Sequence, residues 1–107
     1  MNDFKIATTK YYKIDVLVDG VAPAFDVTDV FNLIFKLNIN DTDTEAVIDK
    51  TGTKTGVDGE VTWLLSATET DVDENTYQYE IKWTSGDAVY IIETDTVSIL
   101  KRVHDVV

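Results

Sequence analysis

Glu60-Val-Thr-Trp-Leu-Leu65, Tyr77-Gln-Tyr-Glu-Ile-Lys-Trp83, Val89-Tyr-Ile-Ile92 and Val97-Ser-Ile-Leu100 decide the fold class of this chain. Side chains along a strand alternate between its two faces, so Val61, Trp63 and Leu65 share one face, as do Tyr77, Tyr79, Ile81 and Trp83. Ser85-Gly-Asp87 supplies a turn between the second and third segments, and Glu93 to Thr96 reads as a hairpin or as a bulge inside one long strand. The stretch from Glu60 to Arg102 is therefore expected to form four short strands joined by turns. Upstream segments would add strands that cover its apolar side.

Those upstream segments carry the same period. Tyr12, Ile14, Val16 and Val18 fall on one face, and Asp19-Gly20 then provides the left-handed backbone of a tight hairpin turn. Val21 to Val27 is the expected return strand, kept at an edge by Pro23, which has no N–H for a ladder. Val30 to Ile39 is the strongest upstream strand, with Phe31, Leu33, Phe35, Leu37 and Ile39 on one face and Ile34 interrupting the polar one. β-Branched and aromatic residues favour strand over helix there. Ala46 to Asp49 is at best a short strand, Thr51 to Gly59 a glycine-spaced link, and Asp58-Gly59 a turn. Ser66-Ala-Thr-Glu69 matches a capping box, which predicts one helical turn before Asp71 to Asn75 interrupts it. Asn75 is expected to release the chain through a left-handed conformation. The result is one all-β domain over residues 1–107, an immunoglobulin-like antiparallel β-sandwich of about seven or eight strands. One short helical turn is expected near 66–71, an arm or edge strand over 1–9, and a tail over 103–107.

Nine Lys and Arg against twenty Asp and Glu give a formal charge of −11. Nucleic-acid binding needs a basic surface to displace counterions from phosphates, so this balance opposes it and also disfavours anionic lipid. No run of eighteen apolar residues is present to span a membrane, and Met1 to Ile6 lacks the basic and apolar segments of a secretion signal. The absence of cysteine removes disulfides and thiolate metal sites.

Candidate chemistry is sparse. His104 is the only histidine, and Ser66, Ser85 and Ser98 are the only serines, none in a nucleophile elbow. Two acidic loops, Asp41-Asp43-Glu45 and Glu69-Asp71-Asp73-Glu74, have the alternate carboxylates that wrap calcium but lack the glycine and closing glutamate of a calcium hand. Gly52, Gly56 and Gly59 precede no Lys-Ser/Thr pair and no helix, so they read as a sheet connection and not as a phosphate cradle. Trp63, Tyr77, Tyr79, Trp83 and Tyr90 fall at strand period, which favours packing over a sugar platform. Ile34, Leu64, Tyr90 and Ile92 lie opposite the main apolar faces and are expected to supply a contact surface. No catalytic, cofactor-binding or metal-binding residue is expected, and the chain is not expected to be an enzyme.

The order Gly59-Glu-Val-Thr-Trp-Leu-Leu-Ser-Ala-Thr-Glu-Thr-Asp71, Asn75-Thr-Tyr-Gln-Tyr-Glu-Ile81 and a hairpin ending in Val97-Ser-Ile99 resembles a small β-sandwich domain of tailed bacteriophages. It is similar to the N-terminal domain of the baseplate upper protein and to related head or tail accessory modules. Upstream, Tyr12-Lys-Ile-Asp-Val16, the Asp26-Val-Thr-Asp29 turn and the strand over 30–39 are compatible, so the resemblance spans residues 10–103. The chain departs from it in having Asn75 in place of glycine and in ending where baseplate upper proteins continue into a stalk. The resemblance implies a non-enzymatic virion structural or accessory protein of baseplate, tail or head, made in the host cytoplasm. Its implied partners are other virion proteins and further copies of itself. The alternative expectation is a small ligand-binding module for carbohydrate, with or without calcium.

Overall fold

The computed structural model describes residues 1–37 and 45–102. These residues form eight strands: β1 (Phe4–Lys5), β2 (Lys10–Asp15), β3 (Asp29–Lys36), β4 (Ile48–Thr51), β5 (Thr53–Lys54), β6 (Glu60–Leu65), β7 (Asn75–Ser85) and β8 (Ala88–Leu100). They form a five-stranded sheet in the order β1-β8-β7-β3-β4 and a three-stranded sheet in the order β2-β6-β5. Every pairing is antiparallel except that of β1 with β8. This order, with the chain crossing repeatedly between sheets, is the immunoglobulin-like sandwich.

The core lies between the two sheets and is built from the period-two residues. Phe31, Leu33 and Phe35 of β3, Tyr77, Tyr79 and Ile81 of β7, and Val97 and Ile99 of β8 meet Val61, Trp63 and Leu65 of β6. Tyr77 donates from its hydroxyl to the Asp73 carbonyl at 2.5 Å, the tyrosine corner that marks the entry to this strand in immunoglobulin-like folds.

Several expectations are corrected. The 60–102 stretch supplies three strands in two sheets, not four in one, because β6 pairs with β2 while β7 and β8 belong to the larger sheet. Of the two readings of Glu93 to Thr96, the one long strand forms, thirteen residues in all, but its bulge lies at Ile92: Glu93 opposes Ile81 and Ile91 opposes Lys82. Val21 to Val27 forms no return strand. The Asp19-Gly20 turn does have positive φ at both residues, but its hairpin closes only at the Val18–Val21 bridge. Leu37 lies beyond β3 and is exposed, and Ile39 falls outside the described residues. Asn75 begins β7 and has no positive φ; Ala7 and Asp19 are the non-glycine residues that do, among those described.

The Thr51–Gly59 link is not a loose connection. Gly52 alone carries the chain from β4 in one sheet to β5 in the other, its N–H donating to the Phe31 carbonyl at 2.7 Å. A Cβ there would lie 2.8 Å from both Trp63 Cε2 and Val61 Cγ1, so the crossing needs glycine for close approach. The Trp63 indole N–H reaches the Lys50 carbonyl at 3.0 Å and fixes the same corner.

The Ser66–Glu69 box forms as expected. Glu69 N–H donates to Ser66 Oγ at 3.1 Å, and Ser66 N–H donates to Glu69 Oε1 at 3.0 Å. A Thr70 N–H to Ser66 carbonyl bond closes a single turn, and no helix grows from it. Thr70 is fully buried, and its hydroxyl donates to the Thr8 carbonyl, tying this turn to the arm that follows β1.

Candidate functional site

One side of the sandwich is open. Strand β2 pairs with β6 on one edge and, among the described residues, with nothing on the other. Its inward residues Tyr12 and Ile14 are only half-buried, whereas Val61, Trp63 and Leu65 on the neighbouring β6 are at most 1% exposed. A five-stranded layer facing a three-stranded one leaves the inner face of β8 uncovered near its bulge.

A groove of about 520 Å³ lies there, between Ile14–Val18 on one wall and Trp83 with Tyr90–Glu93 on the other. Its lining is apolar apart from Asp15 and Glu93, and no lysine or arginine takes part. Leu17, Val18, Tyr90 and Ile91 are exposed at its mouth, and Val21 and Val89 extend the apolar surface on either side.

The Asp26-Val-Thr-Asp29 turn holds the groove's central ring in place. Asp26 Oδ1 accepts from the Thr28 N–H and hydroxyl, and Asp29 Oδ2 accepts from the Asp26 N–H at 2.9 Å. The other Asp29 oxygen takes the Trp83 indole N–H at 2.9 Å. Lys54, reaching from the opposite sheet, donates to the carbonyls of Asp26 and Asp29, each at 2.6 Å. Burial alone raises the Asp29 carboxyl's pKa. The Asp26 amide, the Trp83 indole, the Ser85 hydroxyl and the Lys54 charge outweigh burial and leave it below its usual value. Trp83 is also packed by Phe31, stacked at 5.5 Å, and by Phe25 and Tyr90 at 5.7 and 5.3 Å.

At its other end the seam between β2 and β8 is clasped. Tyr12 and Tyr79 both donate to Glu93 Oε2, at 2.5 and 2.9 Å, and the Met1 amino group donates to the Tyr79 hydroxyl at 3.2 Å. Desolvation, then the hydrogen bond and charge of Glu93, push the Tyr12 phenol up to about 12. The same causes in the same order, joined by Tyr12, raise Tyr79 further. Phe4 packs behind this cluster against Phe35, with the Lys10 ammonium 5.4 Å from its ring centre. Residues 1–5 thus fill one half of the seam, and the groove is the unfilled half.

The other candidate residues do not converge on a site. Glu69 is held by Lys50 at 2.9 Å and by the Ser66 turn; the Ser66 amide and the Lys50 ammonium lower its pKa. Among the described residues no three Asp, Glu or His side chains group so as to hold a metal ion. Asp41, Asp43 and His104 lie outside the described residues. Ser98 shares a hydrogen bond with Thr76 at 2.9 Å on an outer face. Of the five aromatics at strand period, Trp63, Tyr77 and Tyr79 are core; Trp83 and Tyr90 reach the groove.

The expected contact surface is corrected in part. Ile34 is buried, Ile92 packs against the core from the bulge, and Leu64 stands on the outer face of the small sheet beside Tyr11. Tyr90 alone of the four is an exposed groove residue. Of the other groove wall, Val18 is expected on one strand face with Tyr12, Ile14 and Val16, and Leu17 on the opposite one. Among the described residues no helix is long and apolar enough to cross a membrane. No family model, curated protein or solved structure matches the chain.

Proposed function

We propose that the chain is a non-catalytic assembly module that binds another protein through its open side, in the setting of a tailed-phage virion. The observation that carries the binding reading is the groove with its exposed rim of Leu17, Val18, Tyr90 and Ile91. Contiguous apolar surface of this kind on a highly charged chain is what protein contacts bury. The virion setting is supported by the sequence resemblance, carried by the segments from Gly59 to Ile99, with which the Asp26–Asp29 turn is compatible.

A photo-crosslinking residue at position 90, in virions purified from an infected culture, tests both parts. The expected result is that the chain co-sediments with particles and crosslinks to one neighbouring virion protein. A chain absent from particles contradicts the virion setting, and a particle-bound chain without a crosslink at 90 contradicts the groove as the contact.

A further inference from the structure

We propose that the groove is completed by an added β-strand: an extended segment of another protein, apolar and basic at alternate positions, pairs with the free edge of β2. This rests on the reading of the chain as a protein-binding module and names the form of its partner.

Backbone geometry supplies the first argument. Val16 N–H donates to the Gly59 carbonyl at 2.8 Å. Hydrogen-bonded pairs alternate along an antiparallel ladder, so Tyr12 and Ile14 also point their amides at β6. Tyr11, Lys13 and Asp15 therefore turn theirs to the outside, and among the described residues no backbone group meets them. An unpaired edge of this kind is a template for another strand.

Packing supplies the second. A strand laid along β2 would send every other side chain down between Ile14 and Val16 on one side and Trp83, Tyr90 and Ile92 on the other. The half-buried inner face of β2 would then gain the cover that β6 already has. The seam is already filled by residues 1–5 at one end, so the incoming strand would continue that filling where Met1 leaves off.

Charge decides the occupant. The groove's ionic residues are Asp15 and Glu93, Asp95 follows on β8, and the whole chain carries −11. On the outward face of β2 Lys13 is paired with Glu60 at 3.6 Å, whereas Asp15 meets no cation among the described residues. Lysine or arginine on the outward face of an incoming strand would therefore meet Asp15, and a second copy would bring another −11 to the same seam.

The test is a titration of the isotope-labelled chain with peptides of about eight residues, the length of an ordinary strand. One alternates valine with lysine, one alternates valine with glutamate, and one holds the lysine peptide's residues in two blocks. The expected result is that only the alternating lysine peptide binds, with slowed hydrogen exchange at the amides of Tyr11, Lys13 and Asp15. Lys13→Pro, which removes an outward N–H, and Tyr90→Asp, on the exposed groove wall, should each weaken binding by about tenfold or more. Each variant's fold is checked by the dispersion of its amide spectrum.

Equal binding of all three peptides, protection at other strands, or no binding of the alternating lysine peptide would overturn the proposal. So would protection of these amides in the free chain by a concentration-dependent dimer. A crosslink at position 90 without edge protection would leave the assembly reading intact and remove strand addition alone.

Discussion

At the scale of single residues, Glu93 and Gly52 decide how the two layers meet. Glu93 sits at an inward position of β8, where the pattern calls for an apolar side chain, and is tolerated because two phenols donate to the same oxygen. Glu93→Ala leaves Tyr12 and Tyr79 without an acceptor and should cost about 1–3 kcal/mol in urea unfolding. The same cluster predicts an alkaline transition. Tyrosine in the unfolded chain loses its proton near pH 10, whereas Tyr12 holds its proton to about 12 and Tyr79 beyond its normal value. The stability they contribute is complete below pH 10 and falls as pH rises from there through 12. Tyr12→Phe should flatten that fall. Gly52→Ala forces a methyl against the Trp63 ring and should destabilise by about 1–3 kcal/mol, with a change in tryptophan fluorescence.

At the scale of elements, the corners carry specific hydrogen bonds that can be removed singly. Tyr77→Phe deletes the corner bond to the Asp73 carbonyl and should cost about 0.5–1.5 kcal/mol by thermal unfolding. Ser66→Ala deletes the cap on Glu69 N–H, at about 1 kcal/mol. Asp29 and Glu69 have lowered pKa values, so their contribution is present at neutral pH and is lost as pH falls below about 4. Thermal midpoints across pH 2 to 6 would show this as a steep acid limb, shallower in Asp29→Asn.

Alternation made β2, β3, β6 and β7 legible, because each buries one face and a period of two is written directly in its residues. The capping box was equally legible, since both of its partners lie within four residues. Other features were hidden because their cause is distant in the chain. Gly52 is set by Trp63 across a sheet change, and the Ile92 bulge by its register against Lys82. Ile34 is buried on the second face of β3, which a single-face pattern does not foresee.

At the scale of the whole molecule, the two layers are unequal: five strands face three, and among the described residues β2 has a free edge beside an apolar groove. The residues of that groove were partly legible, through Tyr90 and the surplus of apolar side chains on β8. Their meeting with Leu17 and Val18 was not, because it depends on sheet order. Tyr90→Glu should lower the stability of the isolated chain by no more than about 1.5 kcal/mol, the worth of its aromatic pairing with Trp83, and leave it folded. The same substitution should abolish partner binding. Amide hydrogen exchange along residues 10–16 of the free chain tests the central claim most directly. The predicted result is alternation: slow exchange at Tyr12, Ile14 and Val16, and fast exchange at Tyr11, Lys13 and Asp15. Uniform protection along the strand would mean that the edge is already covered, and would contradict the account.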